Sequence, residues 1–379
     1  MEPIYLDYNA TTPIDPKAAE AMLPFIHRHF GNPSSSHIFG VTAKKAVEAA
    51  RSKVAKMLRC ETDEVIFTSG GSESNNYAIK GVARASRDKG NHIITSSIEH
   101  PAVSEVCRYL EGQGYRLTYL PVDRYGLVNP ADVEEAITPQ TILITIMHAN
   151  NEVGTIEPIM EISEIAHRCG VLLHTDAAQS VGKIPVHADE LNVDLLSIAG
   201  HKLYAPKGIG VLYIRAGVRL EKLVHGATHE MNLRAGTENV IEIVGLGEAC
   251  GLINTNLWAY YEHMKTMRDR LEKGLRQRFH DLRPNGHPEK RLPNTLSISF
   301  KGLEADRILA ELKNVAASAG AACHSDHVDV SSVLQAMQVP TEYAKGTIRF
   351  SVGRFTTEAE IDQAVAEIER VVKRLEPRM

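Results

Sequence analysis

The sequence predicts an α/β protein, with a large body built on a mostly parallel sheet and a smaller α+β part. Three observations predict it. At 379 residues the chain is too long for one small core. Between residues 64 and 215, short β-rich runs alternate with helical patterns, the order that a parallel sheet covered on both faces requires. After Thr237 the alternation stops, and a long helical pattern leads into a tail of mixed character.

The elements follow in order. Residues 64–68 read as a strand and 72–85 as a helix; 92–95 is a strand and 102–111 a helix. Strands at 117–121 and 142–147 precede a helix at 159–168, and strands at 171–175, 195–198 and 211–214 follow. The unbroken apolar run from Ile142 to Met147 suits a strand buried on both sides. A helix runs to about Phe279, and the Pro- and Gly-containing stretch 283–293 reads as a boundary. Beyond it lie strands at 296–300 and 347–352 and a helix at 305–312. The last helix opens at Thr357 with Glu360 three residues on, a capping-box pattern. Ile361, Val365, Ile368, Val372 and Leu375 give that helix an apolar stripe.

Composition narrows the function. A hydrophobic fraction of 43% with 23% charged residues is ordinary for a globular protein, and a net charge of -5 points to neither nucleic acid nor an anionic membrane as main partner. The apolar runs are short of a membrane span, and the N-terminus lacks the basic-then-apolar pattern of a secretory signal. Cys60, Cys107, Cys169, Cys250 and Cys323 are scattered without a CxxC pair. No metal site or disulfide framework is expected, and the setting is a reducing, cytoplasmic one. The first four cysteines read as small packed or partly buried residues.

Open α/β sheets place ligands at the carboxyl ends of their strands. After the first strand, Ser69-Gly-Gly-Ser-Glu-Ser-Asn-Asn offers a glycine turn and a helix start whose free N–H groups suit a phosphate, although Ser72 as a plain helix cap fits equally. His100 follows the second strand, and Asn150-Asn151 the strand at 142–147; alone, these read as a structural histidine and a turn. Asp176 ends an apolar strand and needs a partner, because an isolated buried carboxylate is costly. A pyridinium nitrogen is one such partner, and a structural ion pair another. Lys202 also sits at a strand end and can bond to a carbonyl carbon if its amine pKa is lowered; Lys207 competes on composition. Cys323 follows a run of small residues and opens a polar loop with His324 and His327, which favours an exposed, reactive thiol.

Together these motifs resemble the cysteine desulfurases and the related selenocysteine lyases of the class V aminotransferase group, enzymes that use pyridoxal 5'-phosphate (PLP). The resemblance is carried by Tyr5-Leu-Asp-Tyr-Asn-Ala-Thr-Thr-Pro, the Ser69 motif, Glu99-His-Pro, Asn150-Asn-Glu-Val-Gly, His174-Thr-Asp-Ala-Ala-Gln, Gly200-His-Lys, Arg234-Ala-Gly-Thr-Glu-Asn, the Cys323 loop and Ile348-Arg-Phe-Ser-Val-Gly. It spans nearly the whole chain. It implies an aminotransferase-like homodimer, with 15–260 as the large PLP-binding domain and 1–14 plus 261–379 as the small domain carrying the cysteine loop. It implies conversion of L-cysteine to L-alanine, with sulfur held on Cys323 and passed to an acceptor protein such as an iron–sulfur scaffold.

By the same resemblance Lys202 matches the lysine that holds PLP, ahead of Lys207, and Asp176 matches the partner of the ring nitrogen. Gln179 matches a donor to the ring hydroxyl, and His100 the ring-stacking proton carrier. Gly71, Ser72 and His201 match phosphate contacts, and Thr237 one supplied by the other subunit. Asn151 and Arg349 match the residues that hold the substrate carboxylate. Two departures stand out. Ala199 replaces a common serine or threonine, which implies one phosphate hydrogen bond fewer. The stretch Gly320-Ala-Ala-Cys323-His-Ser-Asp-His is closer to selenocysteine lyases, which leaves L-selenocysteine open as substrate. A non-catalytic scaffold that binds a sulfur acceptor is the rival from another class.

Overall fold

The computed structural model describes residues 3–319 and 330–376. In chain order its first half contains β1 (Ile4–Tyr5), α1 (Pro16–His27), α2 (Ile38–Leu58), β2 (Val65–Thr68), α3 (Gly71–Ala85), β3 (His92–Ser96), α4 (Pro101–Glu111), β4 (Arg116–Leu120), α5 (Pro130–Ala136), β5 (Thr141–Thr145), α6 (Ile159–Arg168), β6 (Leu172–Asp176), α7 (Ala188–Leu191), β7 (Leu195–Ala199) and β8 (Gly210–Ile214). Then come α8 (Val240–Arg276), β9 (Leu282–Asn285), β10 (Thr295–Phe300), α9 (Ala305–Glu311), β11 (Val315–Ala316), β12 (Ser318–Ala319), α10 (Ser332–Ala336), α11 (Thr341–Ala344), β13 (Thr347–Ser351) and α12 (Glu358–Leu375).

Seven strands form one sheet in the order β2-β8-β7-β6-β5-β3-β4. The run from β4 through β3, β5 and β6 to β7 is parallel. Only β8 breaks the pattern, antiparallel to both β7 and β2. The link from β7 to β8 is too short for the crossover of about a dozen residues that a parallel neighbour needs. Every residue of β3, β5, β7 and β8 is buried, as strands covered on both faces must be. β2 shows how the faces divide. Val65 and Phe67 join the core closed by α2, α6 and α8, while Ile66 joins the core closed by α3 and α4.

The second half builds a smaller antiparallel sheet, β12-β13-β10-β9. Its core takes Leu296, Ile298 and Phe300 from β10, Ile348 and Phe350 from β13, and Ile361, Val365, Ile368 and Val372 from α12. The capping box at Thr357 and Glu360 is present. α8 serves both cores, giving Ile243, Leu246 and Ile253 to the first and Met264, Met267 and Leu271 to the second. By length and composition alone α8 could cross a membrane, although its uninterrupted apolar runs are short, and its apolar residues include these core positions.

The stretch expected to be a boundary instead opens with β9, paired to β10. Pro284 is tolerated there because β9 is an edge strand, where a missing N–H interrupts no ladder. The N-terminal segment bridges the two halves: β1 pairs with β11, and Asp7 pairs with Ser351.

Candidate active site

A cavity of about 280 Å3 lies where the parallel strands end. Its walls carry Gly71, Ser72 and Asn75 from α3, His100 from the end of β3, Asn151 after β5, Asp176 and Gln179 at the end of β6, and His201 and Lys202 after β7. That is the placement a doubly wound sheet gives its ligand.

The side expected to take a phosphate begins at Gly70, whose φ of 149° suits glycine. Gly70 caps α3 with no side-chain bond, and Ser72 sits inside the helix rather than capping it. The first N–H groups of α3 are therefore left for a ligand. A Cβ on Gly71 would come to 3.1 Å from the Cβ of Ala199, so the glycine lets β7 close against the helix. His201 Nδ1 meets Thr11 Oγ1 at 3.1 Å, and burial with the nearby Lys202 charge pushes its pKa down to about 4.

Asp176 is buried. Its Oδ2 accepts from Asn75 Nδ2 at 2.7 Å and its Oδ1 from the Ala178 N–H at 2.9 Å. Among the described residues it forms no ion pair. A buried carboxylate solvated only by neutral donors is suited to a cation entering from the cavity. Asn75 carried no role in the sequence reading. Its place one helical turn after Gly71, on the same face, was the available signal.

Lys202 donates to the backbone oxygens of Asn9 and Ala10, the latter at 2.8 Å. Burial first, and then the Arg349 charge, bring its pKa down to about 8 against the opposing Asp176 and Asp7. Lys207 is exposed and lies off the cavity. His100 caps α4, its Nδ1 accepting from the Ala102 N–H at 3.1 Å. Its ring is exposed in this chain, yet its pKa lies below the usual histidine value. Desolvation leads, Lys202 adds to it, and Asp176 opposes. A neutral ring with Nδ1 accepting carries its proton on Nε2.

Gln179 turns its Nε2 to Asn9 O at 3.0 Å, while its Oε1 accepts from Lys183 Nζ at 2.7 Å. Asn9 itself was missed in the sequence. It is buried and bonds to Lys202, Gln179, Lys183, Asn151, Thr295, Asn294 and Ser351. No local pattern announces contacts so distant in the chain.

Arg349, on β13, reaches the site from the smaller sheet. Its Nη1 donates to Asn151 O at 3.0 Å, and its Nη2 pairs with Asp7 at 2.7 Å. It does not line the cavity, although Asn151 does, and its Nε has no partner among the described residues. Thr237 lies apart, in a separate cavity of about 200 Å3 with Ser69 and Arg234. Cys323 falls outside the described residues. Of the other cysteines, Cys107 and Cys250 are buried, with thiol pKa values pushed up to about 12 by desolvation. Cys60 is half-buried, and the same cause raises it to about 12. Cys169, expected to be packed, is exposed: it ends α6 at the turn before Gly170, outside the helix's apolar face.

These residues fit PLP. Open helix N–H groups suit a phosphate, an unpaired buried carboxylate suits a protonated ring nitrogen, and a depressed amine shares their cavity.

Comparison with known proteins agrees. The profile for "Aminotransferase class-V" matches residues 4–364. The chain is 50% identical over 374 residues to the cysteine desulfurase IscS of Dictyoglomus turgidum, covering 98% of this chain and 95% of that protein. It is 48% identical to the cysteine desulfurase IscS of Methanosarcina thermophila, covering 98% and 92%. A solved NifS-like protein superposes with a TM-score of 0.93 at 37% identity, covering 98% of this chain and 100% of that one. The chain belongs to the class V aminotransferase family, whose enzymes use PLP. Within that family its place is among the cysteine desulfurases.

Proposed function

We propose that this cavity converts L-cysteine to L-alanine with PLP and leaves the sulfur as a persulfide on Cys323. The chain is accordingly a PLP-dependent cysteine desulfurase. The observation that carries the reading is the convergence of Lys202, its amine depressed to about 8, and the unpaired Asp176 on one cavity at the strand ends.

PLP, when bound, supplies an electron sink for the pair left by a departing Cα proton. Lys202 holds the cofactor at rest, and its freed amine takes that proton; with a pKa of about 8, roughly a tenth is neutral at pH 7. Asp176 keeps the ring nitrogen protonated, and Gln179 donates to the ring hydroxyl. Gly71, Ser72 and His201 hold the phosphate. Arg349 and Asn151 hold the substrate carboxylate, with Arg349 Nε as the spare donor. His100, which lines the cavity, would give the proton on its Nε2 to the carbon left by sulfur. The Cys323 thiolate attacks the substrate sulfur, an S–S bond forms as the Cβ–S bond breaks, and alanine leaves. L-cysteine plus one thiol gives L-alanine plus one persulfide, and no outside oxidant is required.

The domain reading, 15–260 against 1–14 with 261–379, is supported by the two cores that share α8. A cytoplasmic homodimer completes the reading, with Thr237 serving the other subunit's phosphate. Its support is an apolar strip around α1 and the start of α2, where Phe30 is 80% and Ile38 71% exposed. The sulfur acceptor in this reading is a protein of the iron–sulfur scaffold type. Selenocysteine cleavage is the second reading, favoured by the motif around Cys323.

The test is mass spectrometry of the intact protein after L-cysteine. One added sulfur on the Cys323 peptide, with one alanine released, is the expected result. Alanine released at the wild-type rate by Cys323→Ser would overturn it. Side-by-side turnover of L-cysteine and L-selenocysteine separates the two substrates.

A further inference from the structure

We propose that Lys183 is a positioning residue that locks the Gln179 side-chain amide with its NH2 end toward the PLP cavity; this rests on Gln179 being the donor to the cofactor's ring hydroxyl. Lys183 is 5% exposed and has no ion-pair partner among the described residues. Its Nζ donates to Gln179 Oε1 at 2.7 Å and to Asn9 Oδ1 at 3.1 Å. Burying an amine beside two amide oxygens is an expensive way to fill space. Burial, reinforced by the charges of Lys202 and Arg349, lowers its pKa well below the usual lysine value. Charged or neutral, the amine still has the two N–H donors that these contacts use.

The consequence falls on Gln179. An amide has one end that accepts and one that donates. Asn9 O, 3.0 Å from Nε2, can meet only the nitrogen, and Lys183 turns an N–H onto the oxygen at the other end. A flipped amide would set oxygen against oxygen at Asn9 and, at the other end, turn its NH2 onto an amine whose N–H now points there. The orientation is therefore fixed from both ends. One Nε2 hydrogen goes to Asn9, and the second is left over on a side chain that lines the cavity. Asn9 O also accepts from Lys202, so a single carbonyl orders the amide and the catalytic amine together.

The experiment uses Lys183→Met, of similar length without a donor, with Gln179→Leu as reference. Two readouts are taken: the Gln179 side-chain amide signal in selectively 15N-glutamine-labelled, PLP-free protein, and the absorption band and dissociation constant of bound PLP. Lys183→Met should stay folded, lose the wild-type amide signal, shift the PLP band as Gln179→Leu does, and weaken PLP binding about tenfold. A wild-type amide signal and band in Lys183→Met, with both changed in Gln179→Leu, overturns the proposal. A band unmoved by Gln179→Leu overturns the ring-hydroxyl assignment beneath it, while the amide signal still reports the hold of Lys183. Lys183→Leu is a second donor-free variant, read in the same way if Lys183→Met does not fold.

Discussion

The cavity has two walls of different origin. One is made of strand ends, where His100, Asp176, Gln179 and Lys202 present side chains. The other does not line the cavity itself: the segment from Asn9 to Thr12 backs Lys202 and Gln179 through the backbone oxygens of Asn9 and Ala10. Side-chain chemistry is lost by one substitution. A carbonyl survives any substitution at its own residue and depends instead on where the chain runs. The strand-end wall should therefore fail residue by residue, and the N-terminal wall only when its path is disturbed.

Lys202→Ala tests the first wall most severely. It should remove the bound-PLP absorbance and cut single-turnover alanine formation by about 10³-fold or more, while Lys207→Ala stays near wild type. Equal losses in the two variants would break the distinction between a strand-end lysine and an exposed one. Asp176→Asn should slow Cα deuterium exchange about 10²-fold, with a melting temperature close to wild type, because the amide fills the space but cannot stabilise a pyridinium charge. An unchanged exchange rate would remove Asp176 from the chemistry.

The Lys202 amine gives the next effect. Its pKa is depressed to about 8, so the neutral, reactive form predominates above that pH and declines below it. The rate at which PLP-free protein takes up PLP should rise about 50-fold between pH 6 and 8, then level off. A rate still rising about tenfold between pH 8 and 9 would mean that the cavity does not depress the amine.

Asn9→Ala sharpens the comparison. It keeps the carbonyl but removes side-chain bonds to Asn151, Lys183, Asn294 and Thr295. Urea denaturation should show a loss of about 2–3 kcal/mol, with PLP still bound. Full stability with PLP binding abolished would invert the assignment of the two walls. The smallest effect is expected for Cys169→Ser, exposed at the end of α6, where desulfurase turnover should match wild type.

How much of this was legible follows the same division. The strands that set the first wall announce themselves as continuous apolar runs, and their observed bounds lie within two residues of the expected ones at β3, β5, β6 and β7. His100, Asp176 and Lys202 were singled out because each follows such a run, and the resemblance supplied their roles. α1 and α2 were not found, since their faces mix small, charged and exposed apolar residues: Ile26 and Ile38 point outward in the single chain. Asn75 escaped because its partner Asp176 lies 101 residues away, and Lys183 because an isolated lysine reads as solvated until its burial is seen. Arg349 was placed by resemblance alone. Its bonds to Asp7 and Asn151 join distant parts of the chain.

The pairing of Asp7 with Arg349, 342 positions apart, has a bearing on biosynthesis. β1 can pair with β11 only after residue 315 has been made, and Asn9 can meet Ser351 only after residue 351. A nascent chain can form the large sheet long before then, complete with Lys202 and Asp176, but without the carbonyls that hold the lysine. Contacts of such high sequence separation are the slow ones to form. The catalytic cavity should thus be among the last parts of the molecule to mature, and premature release from the ribosome would yield a sheet with an unanchored lysine.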